Sequence, residues 1–343
     1  LRLIGNGVPR TQRPNLMRLK RLPISSIDGL PRTMTAGETL RKSFDDFWMK
    51  SGDLRILDPL RRAYGVLLIL NVSLLGLDRH RFFGTDSWVP TEMRREIVDP
   101  DTFDLYSFFP GDPWVITLTL LVLALSGIGL ILSFYPRTLA ALTLFLLTSI
   151  HHANVMLFDS EDVVFRLFAF FLIFVPSWSM LEDSIETTTT PTTSASSFPS
   201  WPRRLFQLQV CLIYLAAGIQ KSNGEEWLDG SAIYYALRLD DMTLFQLPEG
   251  MTEKMAWCRL LSWSTLTFEL LFPFLVWIQR LRWPCLIFAA GFHLGTAYAL
   301  NLHLFHPIML VGLLAFVEFR EWQRFTRAIQ HRVFRRRVAT VEA

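Results

Sequence analysis

Long apolar runs alternate with short polar breaks along this chain, and the alternation predicts its elements. Runs of roughly 17–22 residues with almost no charge match the length an α-helix needs to cross a bilayer. Such runs lie near 60–77, 114–134, 138–157, 163–180, 203–221, 260–279, 284–302 and 305–319, the first and last being short. Pro136 and Pro176 mark helix boundaries, whereas Pro273 falls inside a run and is expected to kink it. The expected fold class is all-α, a polytopic transmembrane helix bundle of about eight spans, or seven if one short run does not cross.

The polar breaks divide the chain further. A basic segment over 1–55 precedes a membrane domain over 56–320, and a basic tail follows over 321–343. Within the domain, "LEDSIETTTTPTTSASSFPS" (181–200) is Ser/Thr/Pro-rich without apolar periodicity, which reads as a flexible linker. The stretches outside the runs, including 79–112 and 222–259, are too short to bury another core. Residues 223–242 are amphipathic, with Ile233, Tyr234 and Leu237 apolar and Arg238, Asp240 and Asp241 polar. That segment is expected to lie over the bundle as a lid or an interfacial helix.

Composition reinforces the membrane reading, since 51% of the residues are hydrophobic and the mean hydropathy is +0.29. Net charge is only +3, but the basic residues cluster in "RTQRPNLMRLKRLP" and "HRVFRRRV". Beside membrane spans such clusters read as topology determinants or contacts to anionic membrane lipid, not as nucleic-acid sites. In an eight-helix arrangement both termini share a side with Arg137, Arg203, Arg204, Arg280 and Arg282, and the acidic "FDSED" (158–162) falls opposite. The loop carrying Arg79, Arg81, Arg94 and Arg95 is a partial exception, offset by its acidic residues. The positive-inside rule then predicts a multi-pass protein of the cell membrane with both termini cytoplasmic. Cys211, Cys258 and Cys285 sit in or beside apolar runs, at spacings that form no disulfide framework and no metal motif.

This orientation gathers costly polar groups on the outer side. His151, His152 and Asn154 end the third run, while Glu161, Asp162 and Arg166 open the fourth. His293 stands alone near the middle of the seventh, with Asn301 and His303 near its exit. Ionisable groups inside a bilayer cost several kcal/mol unless paired or solvated, so the cluster points to a polar cavity or to helix-to-helix hydrogen bonds. Successive helical residues turn by about 100°, so only one of His151 and His152 faces a given site. Glu269 is isolated in "LTFELLFPF" and, if buried, must be neutral or paired, with His293 or Arg166 as candidate partners. His303 and His306 have ligand-like spacing but sit at a helix junction, and no metal is expected. Lys221 ends the fifth run in "GIQKSNGEEWLDG", where it is either a snorkelling anchor beside Trp227 or a catalytic base.

Three stretches carry a family likeness: "WPRRLFQLQVCLIYLAAGIQKSNGEEWLDGSAIYYALR", "LTFELLFPFLVW" followed by "FHLG", and "SEDVVFRLFAFFLIFVPSW". Together they resemble the horizontally transferred transmembrane domain, whose family includes vitamin K-dependent γ-glutamyl carboxylase, over about residues 55–320. The most specific feature is a tyrosine, then Gly-x-x-Lys at a helix end, then Trp-x-x-Gly, here Tyr214, Gly218, Lys221, Trp227 and Gly230. Phe292-His293 supports it.

The resemblance implies that Lys221 acts as the base that activates reduced vitamin K, a naphthoquinol, with O2 and CO2 as co-substrates. The oxygenated quinone takes a γ-proton from a glutamate-containing peptide, CO2 adds to the carbanion, and the epoxide is the by-product. A lysine in that role must be neutral, which burial in an apolar pocket favours. His293 is expected as a supporting catalytic group, with His152, Asp162, Arg166, Trp227, Asp229 and Glu269 around the lipophilic quinone. The animal enzyme has two adjacent lysines where this chain has Gln220 and Lys221, and its histidine near the fourth helix falls on Glu161-Asp162. It also carries a large luminal region, whereas this chain ends soon after its last run. A quinol epoxidase, or a carboxylase of another acceptor, is therefore the expected activity within the lyase class. The alternative is a non-enzymatic membrane protein that binds or moves a lipid or small solute through the same cavity.

Overall fold

The computed structural model describes residues 35–84, 87–88, 90, 93, 96–97, 105–109, 113–177, 198–239, 243–245, 253–302 and 304–341. Most of the Ser/Thr-rich linker, the basic residues 1–34, Arg94-Arg95, Asp240-Asp241 and His303 lie outside them. The chain divides after Phe44 into two units. In the first, Thr35 opens helix α1 (Ala36–Met49) with a reciprocal cap: the Glu38 carboxylate accepts from the Thr35 amide at 2.8 Å, and the Thr35 hydroxyl accepts from the Glu38 amide at 3.3 Å.

The second unit is helical, and among the described residues its only β-contacts are two isolated bridges, Ser51 with Pro199 and Thr243 with Leu300. Its helices are α2 (Leu57–Phe83), α3 (Pro113–Ile131), α4 (Pro136–Ala153), α5 (Ser160–Leu172), α6 (Trp201–Lys221), α7 (Glu225–Leu228), α8 (Ala232–Ala236), α9 (Met255–Leu275), α10 (Gln279–Ala299), α11 (Phe305–Leu313) and α12 (Phe319–Val341). Helices thus occupy all eight positions expected from the apolar runs. Two of them, α2 and residues 114–131 of α3, have by themselves the length and hydropathy of a membrane span, and Phe305–Phe316 is apolar but shorter. Polar and basic residues dilute the others, as Arg203, Arg204, Gln207 and Lys221 do in α6.

Packing follows the apolar faces. The main pairings are α2 on α3, α6 on α9, and α4 on α5. Short, apolar α11 touches α2, α5, α6 and α10, so the core closes around it through Leu60, Tyr64, Phe168, Phe206 and Ile308. The buried Tyr64 hydroxyl donates to the Phe165 carbonyl at 3.0 Å, which removes its desolvation penalty. The amphipathic segment after Lys221 is not continuous. It forms α7 and α8, with the Ile233 amide donating to Ser262 of α9 at 3.1 Å and the Trp263 indole donating to the Leu228 carbonyl at 3.0 Å.

Two charge clusters pin the bundle. Buried Arg61 pairs with Asp58 and reaches Ser133 at the α3–α4 turn, and Arg62 donates to the other Asp58 oxygen at 2.7 Å. At the same end, where Arg55 lies over the Phe319 ring of α12, Arg203 of α6 donates to the Ala315 carbonyl at 2.7 Å and pairs with Glu318 at 3.2 Å. Arg282 of α10 pairs with Glu321 at 2.8 Å, so the starts of α6 and α10 share one end with the start of α12.

Candidate functional site

Lys221 occupies the last turn of α6, where an apolar helix face gives way to the polar Ser222-Asn223 turn. The helix α9 runs antiparallel to α6 and carries Glu269 to the same level. Gly218 permits this approach, because a Cβ there would stand 2.9 Å from the Leu270 side chain and 3.1 Å from its backbone nitrogen. The Lys221 ammonium consequently lies 2.9 Å from both oxygens of Glu269. Among the described residues, Oε1 receives a well-aligned hydrogen and buried Oε2 meets the ammonium without one. The Glu269 side chain is 5% exposed and that of Lys221 25% exposed, so the pair sits at the margin of the protein interior. A charge pair with one desolvated partner keeps more of its Coulomb attraction than a surface pair does.

Trp227 of α7 turns its ring towards the same ammonium, with the nitrogen 5.3 Å from the ring centroid. Gly230 makes that return of the chain feasible: its φ is +82°, and Arg259 packs where a Cβ would project, 2.8 Å away. The Tyr214–Gly218–Lys221–Trp227–Gly230 pattern therefore has a physical meaning at each position. Asp229, between Trp227 and Gly230, is exposed and accepts from the Ser231 amide at 2.7 Å. Hydrogen bonds from Ser231, aided by Arg259, hold its carboxyl below the ordinary carboxylate range.

Two turns before Lys221, Tyr214 is buried in a ring cluster with Phe268 and Phe272 of α9, at centroid distances of 5.3 and 4.4 Å. Its hydroxyl lies 2.7 Å from Nε2 of His293 on α10. The other nitrogen of His293 lies 3.1 Å from Nδ1 of His306 on α11, and Thr296 Oγ1 is 3.2 Å from that same His306 nitrogen. Among the described residues, no group of three or more His, Cys, Asp or Glu side chains is placed to hold a metal.

A sequence-family model for the HTTM domain matches residues 65–322. The chain belongs to the HTTM domain family. No curated protein and no solved structure matches it. The HTTM match spans every helix that contributes to the site, from α2 to the start of α12.

Within this HTTM domain the candidate residues fall into two groups. Lys221, Trp227 and Glu269 meet at the α6–α9 contact, and His293 joins Tyr214 and His306 beside it. Asp162 and Arg166 belong to a second group at the α4–α5 turn. There His151, not His152, is buried against Asp162, with Nε2 3.2 Å from the carboxylate. The 100° step between neighbours selects His151 and leaves His152 on a partly buried face. Asp162 also closes the α5 capping box with Asp159, and the Arg166 guanidinium lies 4.4 Å from the Phe158 ring centroid. From the sequence, Arg166 and His293 are the candidate partners for Glu269. The structure corrects this to Lys221, because the Gly218 contact fixes the level of α9 against α6. Glu161 links the groups by accepting from the Leu304 amide at 2.9 Å, at the start of α11.

Tyr214 and His306 are legible in the sequence only as a motif member and as half of a weak ligand pair. Their contacts with His293 cross three helices, and no local spacing encodes them. One prediction concerns the helix contact itself. Gly218→Val should destabilise the HTTM domain by about 1–3 kcal/mol through overpacking. It should also move Lys221 away from Glu269. Thermal unfolding in nanodiscs checks the first effect, and loss of a zero-length carbodiimide crosslink between the two side chains checks the second.

Proposed function

We propose that this HTTM domain is a quinol-dependent membrane enzyme of the carboxylase/epoxidase type, in the lyase class, with the Lys221–Glu269 pair as its proton acceptor. The observation that carries this reading is the pair itself, at the helix end bearing the family motif, with the carboxylate buried and the ammonium at its margin. The residues present fit a lipophilic naphthoquinol such as reduced vitamin K. Tyr214, Phe268, Phe272 and Phe292 form connected ring contacts along α6, α9 and α10, and His306 Nε2 is a buried polar atom without a hydrogen-bond partner among the described residues. Such surroundings suit a flat apolar ring with oxygens at its edges. When bound, that group supplies the reducing electrons for O2 and the strong base that carboxylation by CO2 requires.

The protein's own part is proton handling and exclusion of water. As Lys221 stands it is an ammonium matched to a carboxylate, and it can accept no proton. Moving its proton onto Glu269 leaves a neutral amine at Nζ and a neutral acid at Glu269, with no net charge created. The amine then takes a hydroxyl proton from the ligand. Trp227 lies against one side of the ammonium, 5.3 Å from ring centroid to nitrogen, and screens that side from water. His293 serves as a supporting polar group through its contacts with Tyr214 and His306.

In this reading the eight helices of the domain span the cell membrane and both termini face the cytoplasm. The clustering of Arg203 and Arg282 at one end, opposite Lys221 along α6, supports that orientation under the positive-inside rule. A glutamate-containing peptide or another acceptor receives the carboxyl group.

The test supplies nanodisc-reconstituted protein with a reduced naphthoquinone, O2 and bicarbonate, and assays epoxide and carboxylated peptide. Epoxide formation that depends on Lys221 supports the enzyme, and no turnover with any of several quinols sinks it. A second reading, a non-enzymatic protein that binds or moves a lipid or small solute, draws on the close match of the Lys221 ammonium to both Glu269 oxygens. It is distinguished by saturable quinone or lipid binding without turnover.

A further inference from the structure

Tyr214, His293 and His306 are all buried, and their polar atoms form a chain that runs from α6 through α10 to α11. The hydrogens of this chain follow from counting. The Nδ1–Nδ1 contact of 3.1 Å between the histidines needs one nitrogen protonated and the other bare. Among the described residues neither ring has a carboxylate among its hydrogen-bond contacts, so two neutral imidazoles avoid an uncompensated buried charge.

Two arrangements of neutral rings then remain. In one, the Tyr214 hydroxyl donates to His293 Nε2, and His293 Nδ1–H donates to His306 Nδ1. The proton of His306 is then on Nε2, and this N–H is the single group left without a partner. In the other, every direction is reversed. His306 Nδ1–H donates to His293, His293 Nε2–H donates to Tyr214, and both the Tyr214 proton and the His306 Nε2 lone pair are stranded. A stranded buried polar group costs about 1–3 kcal/mol, so the arrangement with one orphan prevails over that with two. Thr296 leaves the count unchanged, since its hydroxyl has an acceptor in the Phe292 carbonyl at 2.7 Å.

We propose that His306 Nε2–H, held in that tautomer by the Tyr214–His293 chain, donates a hydrogen bond to a ring oxygen of a quinone-class ligand in this domain. The donor is buried, and among the described residues no protein group accepts from it. Ring contacts continue alongside it, His293 with Phe292 at 5.3 Å and Phe305 with His306 at 5.6 Å. A planar apolar molecule with an acceptor oxygen matches both features, whereas an ammonium or a cation finds no acceptor at this nitrogen. Glu161 positions the donor by accepting from the backbone at Leu304, two residues before His306. The proposal rests on the quinone reading above for its ligand, but not on turnover.

The test uses the full chain in nanodiscs and has two readouts. Nitrogen-15 chemical shifts of histidine-labelled protein should show His306 protonated at Nε2 and His293 at Nδ1. Tyr214→Phe, which removes the donor at the head of the chain, should release His293 from that tautomer. Binding of 2-methyl-1,4-naphthoquinone, followed by quenching of tryptophan fluorescence, should weaken at least about tenfold in His306→Leu. His306→Gln, which retains an N–H donor, should stay within about threefold of the native protein and controls for folding. His306 protonated at Nδ1 overturns the proposal. So does quinone affinity that is equal in the native protein and His306→Leu, and so does an absence of quinone binding by the native protein. Quinone binding that depends on His306 without any epoxide would instead uphold this donor and overturn only the enzymatic reading.

Discussion

On the proposed reading, Lys221→Ala is expected to lower quinol epoxide formation by about 10²–10⁴-fold, the range for loss of a positioned proton acceptor. The assay is epoxide yield per protein in nanodiscs, with quinone affinity measured in parallel. Affinity is expected to change far less than turnover, because on the proposed reading the lysine takes a proton and does not hold the ring. Glu269→Gln is the companion variant. It keeps the shape and one oxygen but removes the acceptor for the Nζ proton, so Lys221 stays an ammonium and turnover falls in parallel. Were Lys221 only a snorkelling anchor, Lys221→Arg would retain full activity and Glu269→Gln would be silent. That pattern would refute the paired-base reading.

The largest effect on stability is expected at the other end of the bundle. Asp58→Ala leaves the Arg61 guanidinium, 2% exposed, without its carboxylate. Breaking a buried pair from one side costs about 3–5 kcal/mol, because the remaining charge is desolvated and uncompensated. Thermal unfolding in nanodiscs should show a large loss for Asp58→Ala and a small one for Arg62→Ala. Arg62 meets the same carboxylate but has a half-exposed side chain, and solvent-exposed pairs contribute only about 0–1 kcal/mol. The double replacement Asp58→Leu with Arg61→Leu should recover much of the loss, since it removes both charges from the interior. Equal melting shifts for Asp58→Ala and Arg62→Ala would refute the assignment.

These two expectations draw on unequal amounts of sequence information. Asp58 and Arg61 are three residues apart on one helix, a spacing that is enough to place them on one face. The further partner of Arg61, however, is Ser133 at the α3–α4 turn, 72 positions further on. Lys221 is visible in the sequence as a charge that ends an apolar run, and Trp227 as its aromatic neighbour. Glu269 is equally visible as an isolated carboxylate, yet its partner lies 48 positions away. Sequence reasoning offers His293 or Arg166 for it, since any cation at a similar depth satisfies the same electrostatic need.

The helices, the family and the helix-end motif can be read along the chain, because they are written in local quantities. A run of apolar residues sets the length of a helix, and a Gly-x-x-Lys end with a following tryptophan is a contiguous pattern. Which costly polar groups share a site depends instead on how the helices pack. The approach of α9 to α6 at Gly218 joins Lys221 to Glu269. The crossing of α6, α10 and α11 aligns Tyr214, His293 and His306, and one 100° step along α4 chooses His151 over His152 for Asp162. Those pairings depend on how closely and at what level two helices meet. Both are set by side-chain volumes at the contact, which leave no periodic trace along the chain.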